Sequence, residues 1–355
     1  MGSLQDLLKN DAFHTAVLYG GIATLVAGVL ALVVRDGPRR NPWGGLAFVV
    51  AGLAALDHEK MLPDDLPLAV AAVAAGAFLV ALTCRLSISF GWRVLLHVAA
   101  TTPGAVLVAQ VLDVSLPGWI ATTLVPVVAL GGALVSEFGR SPSSTPAEPP
   151  PSPGLPGSAG WTGSTSGHGS VGGIDSVGGI GSAAPPGSVG GLGWSLAGIG
   201  PALWAVTVFG VWVTVPETQH VVPLIGAAVP IVLLGLPWPR PLASLGRVGA
   251  SASVALLAWG IAVDGFNRNG AVIGAFACLG VLAIEPVVRR LADVDDFPWP
   301  VVVAVHLGVV GVCSRVAGAS DSATLAFAFS AVAYVGGAIA LTRFATRTGR
   351  SVART

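Results

Sequence analysis

The chain has 355 residues and no net charge; 53% of it is hydrophobic and only 10% is Asp, Glu, Lys or Arg. A soluble domain carries about 25% charged residues, and with a mean hydropathy of +0.79 too little polar surface exists to cover a water-soluble globule of this size. This excludes an ordinary cytosolic enzyme and a secreted disulfide scaffold, and the absence of a basic patch excludes a nucleic-acid binder; a polytopic, all-α membrane protein remains.

The first residues do not read as a cleaved signal, because Asp6 and Asp11 outweigh Lys9 and the following apolar run continues to spanning length. Asp6 also stands where a myristoylation signal needs Ser or Thr. Ser3 and Asp6 form a capping pair, and Leu4, Leu7 and Leu8 share a helical face, so a short interfacial helix is expected before the first span. About 20 apolar residues cross a bilayer. Eleven segments are read as spans. Five come first: Phe13–Val34, Trp43–Leu56, Leu66–Cys84, Val94–Leu112 and Trp119–Ser136. Six follow: Trp194–Val215, Val221–Trp238, Val248–Val263, Gly270–Ile284, Trp299–Ser314 and Ala323–Thr342. The expected fold is two helical bundles, residues 1–140 with five spans and 194–342 with six, and a basic tail at 343–355.

The second segment is short, and a re-entrant half-helix is the rival reading. The charges favour a full crossing. Only then do Arg85 and Arg93 share a side with Arg35, Arg39 and Arg40. With eleven crossings those five join Arg140, Arg240, Arg247, Arg289, Arg290, Arg343, Arg347, Arg350 and Arg354 on one side. Lys9, Lys60, Arg268 and Arg315 are left on the other. The positive-inside rule then places the N-terminus outside the plasma membrane, and the linker and C-terminus in the cytoplasm. Trp43, Trp92, Trp119, Trp238 and Trp299 fall near span ends, as an aromatic belt expects.

Residues 141–193 separate the two sets, and 35 of them are Gly, Ser or Pro. The segment repeats Ser170-Val-Gly-Gly-Ile, Ser176-Val-Gly-Gly-Ile and Ser188-Val-Gly-Gly-Leu. Such composition buries too little apolar area to offset ordering entropy, so it reads as a disordered tether. A parallel repeat is suggested by Arg85, Arg93, Asp113, Glu137 and Arg140 in the first half. Arg240, Arg247, Asp264, Glu285 and Arg289 punctuate the second half in the same order. Positive-inside placement alone offers a second explanation for that likeness.

Chemistry is sparse. There is no G-x-x-x-x-G-K-[ST], H-E-x-x-H or G-x-S-x-G motif. Cys84, Cys278 and Cys313 lack metal-ligand spacing and read as packing residues, with Cys313 the most reactive from its place near the outer surface. Asp293, Asp295 and Asp296 resemble a metal-binding acidic cluster, but a solvated loop beside Arg289 and Arg290 accounts for them. Ionisable groups at membrane depth are the candidates, because they are costly there. His306 lies within the tenth span, where it can relay a proton, bind substrate or make one interhelical hydrogen bond. His97 follows Arg93 by four residues and reads as an interface residue. Asp113 and Asp264 close the outer ends of the fourth and eighth spans, and Arg315 ends the tenth. Glu137 and Glu285 precede Arg140 and Arg289 by three and four residues, the spacing of local ion pairs. Pro103, Pro126, Pro201, Pro223 and Pro230 interrupt spans. Gly270 with Gly274, Gly20 with Gly21, and Gly336 with Gly337 allow close helix approach.

The stretch Val208–Arg240, strongest around Val215-Pro-Glu-Thr-Gln219 and the Gly/Pro-rich helix after it, resembles uncharacterised multi-pass membrane proteins of high-GC actinobacteria. The resemblance covers at most the six-span half and implies no activity and no site. Three function classes follow from the residues. The leading one is a transporter or permease of a small molecule or lipid, on span number, repeat and proline-broken helices. The second is a non-catalytic membrane subunit or scaffold with membrane-protein partners, because buried charge is scarce. The third is a membrane-embedded enzyme, against which stands the lack of a convergent acid, base and nucleophile. No catalytic, cofactor-binding or metal residue is assigned. The expected partners are the lipid bilayer and a small-molecule or lipid substrate, with no nucleic acid.

Overall fold

The structure, a computed structural model, describes residues 4–34, 43–83, 89–112, 116–138, 196–215, 219–235, 242–265, 268–292 and 297–352. In hydrocarbon a helix satisfies its own backbone without water, and every regular element among the described residues is helical. A short α1 (Leu4–Leu8) precedes α2 (Asp11–Val34), α3 (Trp43–His58), α4 (Leu66–Thr83) and α5 (Phe90–Gln110). Then come α6 (Gly118–Val135), α7 (Leu196–Thr214), α8 (Val221–Leu234), α9 (Arg247–Gly265) and α10 (Asn269–Leu291). The last two are α11 (Trp299–Ala317) and α12 (Ala323–Val352). Helices α2, α5, α6, α9, α10, α11 and α12 are long and apolar enough to cross a membrane, and α3, α4, α7 and α8 are shorter apolar helices. The chain is a multi-pass membrane protein. The basic stretch expected as a tail from residue 343 continues α12 without a break.

Helix α9 is the axis of the fold. All of its residues except Val248 and Val263 are buried. Its first half, Gly249-Ala-Ser-Ala-Ser253, is small enough to let neighbours approach from every side. It touches α3, α4, α5, α6, α8 and α10. Outside this ring, α2 packs on α3 and α8, and α12 packs on α10 and α11. Both outer helices turn large apolar side chains outward, such as Leu25 and Val33 on α2 and Phe327 and Val332 on α12. Residues on either side of 141–193 form one compact unit. The two halves, whose mutual packing the sequence left open, share one unit: the central helix comes from the second half and much of its ring from the first.

Close approach is made at glycines. A side chain on Gly20 would meet the Ala227 carbonyl of α8, and one on Gly226 would meet Phe13 and Ala16 of α2. Gly76 and Gly104 stand in the same reciprocal relation on α4 and α5, against Ala100 and Val73. Gly270 and Gly274 face the backbone of Cys313–Ser320, and Gly337 faces Val305 and Val309, whereas Gly21 and Gly336 look into open space. Only one member of each of the pairs Gly20/Gly21 and Gly336/Gly337 is therefore a packing residue.

Prolines mark most breaks in the helices. A proline lacks the N–H that would bond four residues back and clashes with that carbonyl. Pro126 directly precedes the π-helical stretch Val127–Gly131 of α6, Pro230 precedes the 3-10 turn Val232–Leu234, and Pro286 follows the 3-10 turn Val281–Ala283 of α10. Pro103 is instead accommodated within α5. The end of α3 is local: Met61 N–H donates to Leu56, Lys60 N–H donates to Asp57, and Lys60 adopts φ 58°. This is a Schellman stop with lysine in the left-handed position. Cys278 and Cys313 are both fully buried, so the expectation of a reactive surface thiol at Cys313 is corrected. The segment 141–193, Asp113, the Asp293–Asp296 stretch, Cys84, Arg85, Arg140 and Arg240 lie outside the described residues.

Candidate functional site

Charged residues distant in sequence collect at common ends of the helices. At the end where α9 begins, Arg247 Nη2 donates to Glu137 Oε1 at 2.9 Å and Nη1 donates to the Val80 carbonyl of α4 at 3.2 Å. Arg93, in the first turn of α5, approaches the other Glu137 oxygen at 3.7 Å. Arg289 of α10 lies 3.4 Å from Glu285, one turn earlier, and donates to the Glu137 carbonyl at 3.4 Å. Three guanidinium groups and two carboxylates thus converge from α5, α9, α10 and the residues just after α6. The Arg247 and Glu137 side chains are 3% and 5% exposed, so their attraction is little screened; Arg93, at 32%, reaches the surface. Arg93 Nε and Arg289 Nη1 are buried and meet no acceptor among the described residues.

The expected local partner of Glu137, Arg140, lies outside the described residues. Glu137 meets Arg93 and Arg247, 44 residues before and 110 residues after it. The spacing expected for Glu285 and Arg289 is realised as an i,i+4 contact. One turn deeper, His97 Nε2 donates to Ser251 Oγ at 2.9 Å, and Ser251 donates in turn to the Arg247 carbonyl at 3.0 Å. His97 is therefore buried between helices. His97 and Ser251 each stand four residues after a cluster arginine, one from each side of residues 141–193.

His306 occupies the middle of α11 and is buried. Its Nε2 lies 3.1 Å from the Leu203 carbonyl and 3.1 Å from Thr207 Oγ1, both on α7. A carbonyl only accepts, so Nε2 carries the hydrogen and Nδ1 carries the lone pair.

The opposite end has a different construction. Asp264, at the end of α9, accepts the backbone N–H groups of His220 and Val221 at 2.8 Å each and His220 Nδ1–H at 2.6 Å. It is an N-cap for α8 supplied by another helix. The His220 ring stands edge-on to Trp259, 5.3 Å between centres. Asp264→Ala is expected to lower stability by about 1–2 kcal/mol, measured by thermal unfolding of the purified protein. An unchanged Tm would mean that water replaces the cap. Arg268 meets Asp321 at 3.4 Å, an exposed pair of little energetic weight. Arg315 projects from the π-helical stretch Cys313–Ala317 and is exposed.

Reading the sequence did not single out Ser251, Thr207 or His220. The first two are hydroxyls inside apolar runs, a usable but common signal; His220 had none. Among the described residues, no group of three or more His, Cys, Asp or Glu could hold a metal. No family model, curated protein or solved structure matches the chain.

Proposed function

We propose that this protein is a permease for an anionic small molecule or lipid, with eleven crossings and its substrate site at the charge cluster. The N-terminus lies outside, and residues 141–193 and the C-terminus lie in the cytoplasm. The observation that carries this reading is the cluster itself. A chain with only 10% charged residues commits five of them to one place, four of them buried, at a cost that packing alone does not require. The cluster holds one more guanidinium than carboxylates, and two of its N–H donors are uncommitted within the described residues. Such groups match a carboxylate or phosphate.

Five of the ten proposed repeat positions, Arg93, Glu137, Arg247, Glu285 and Arg289, meet here. A site at the junction of two repeats, bordered by interrupted helices, is the arrangement transporters use. The collection of Arg93, Arg247, Arg289 and Arg290 at one end, with Lys60 and Arg268 at the other, supports the orientation.

Native mass spectrometry of the protein released gently from its own membrane tests the reading. The expected species is the chain alone or as a homo-oligomer, carrying a recurrent anionic molecule that Arg93→Gln loses. Fixed stoichiometry with other proteins and no such molecule would instead make it a subunit of a larger assembly.

A further inference from the structure

One small cavity lies between Glu285 of the charge cluster and His306 in the middle of α11. It lies among α10, α11, α12 and the residues after α6, and its lining includes Phe138, Val281, Glu285, Val302, His306 and Leu341. Every lining residue except Glu285 and His306 is apolar. The space is on the order of one water molecule.

His306 Nε2 is already committed to the Leu203 carbonyl, so the free lone pair of Nδ1 is the only basic site on the ring. Glu285 lines the same cavity and stands beside Arg289. Among the described residues, no other titratable side chain lines this space. From α7 His306 meets Leu203 and Thr207. From α12 the cavity receives Leu341, while Tyr334 donates to the Ala277 carbonyl. Cys278 on α10 and Cys313 on α11 are each seven residues, about two turns, away from Glu285 and His306. Glu137, next to Phe138, is held by Arg247.

We infer that Glu285 and His306 form a binding site for one exchangeable proton, bridged by a single water in this cavity. The transfer balances within the site. The Glu285 carboxylic acid gives its proton to the water, and the water gives another of its protons to His306 Nδ1. A carboxylate and an imidazolium result, with Nε2–H still on Leu203. The site stands independently of the permease reading; if that reading holds, this proton is the coupling ion.

The test is a proton-release titration of the full chain in lipid nanodiscs from about pH 5 to 8, comparing wild type with Glu285→Gln and His306→Gln. Gln at 306 can still donate to the Leu203 carbonyl, and Gln at 285 keeps the shape of the carboxylate. The expected result is one proton per chain fewer released by either variant, and no further loss in the double variant, because a shared proton belongs to the pair. If only one variant folds, its loss of the step against wild type supports the site and retention overturns it. A step that survives both substitutions, or losses that add in the double variant, overturns the proposal. The titration measures no flux, so absent transport with an intact step counts against the permease alone.

Discussion

Arg247→Ala is expected to destabilise the protein by about 3–5 kcal/mol, the cost of leaving a buried carboxylate without its principal partner. Arg247 is 3% exposed and supplies the 2.9 Å contact to Glu137; Arg93 approaches the same carboxylate only at 3.7 Å, from a side chain one-third in solvent. The Val80 carbonyl also loses its donor from Arg247. Thermal unfolding, followed by fluorescence of the buried Trp204 and Trp259, would register the change. The double variant Arg247→Met, Glu137→Leu should recover most of the loss, because removing both charges also removes their desolvation cost. A single variant within about 1 kcal/mol of wild type would show that water already reaches the cluster, as it does at surface pairs.

Gly45→Leu is expected to abolish accumulation of folded protein, a cost of about 3 kcal/mol or more. A Cβ there would stand 2.6 Å from both the Gly249 Cα and the Leu245 carbonyl, so backbone of the central helix blocks it rather than a movable side chain. Gly44 adds a second constraint at the same contact, donating its N–H to the Ser244 carbonyl at 3.0 Å. The matched substitution Gly21→Leu places its side chain where nothing lies within 4 Å and should leave accumulation unchanged. Monodisperse yield from equal amounts of membrane reads both. Equal yields for the two variants would mean that α3 and α9 can separate without loss of the fold.

The glycines show where one-dimensional reading stops. Gly20 and Gly21 are neighbours of identical type in the same apolar helix, yet only Gly20 faces α8. An apolar helix in lipid has no polar face to announce which side is inward, since protein and acyl chains are equally apolar. The same limit hid the centrality of α9. Both it and α2 are apolar helices of spanning length, but one is enclosed and the other faces outward.

From the sequence alone it follows that the chain is helical throughout its apolar segments and crosses a membrane several times. Each crossing is a property of one window, because an apolar run of about 20 residues leaves water whatever its neighbours are. The residues worth inspecting were also legible, since an ionisable group inside such a run is rare and costly wherever the helix packs. Of the partners, the Glu285–Arg289 pair was legible from its spacing; the long-range ones were not. Local spacing offered Glu137 an arginine three residues away, and tertiary packing supplied Arg247 from across the chain. His306 was visible as a buried imidazole, but its bonds to α7 and its shared cavity with Glu285 exist only once three helices are assembled around it. Insertion into lipid is decided segment by segment by transfer from water, whereas an ion pair or a cavity depends on the distance between segments, which the packing of α9 at the centre sets.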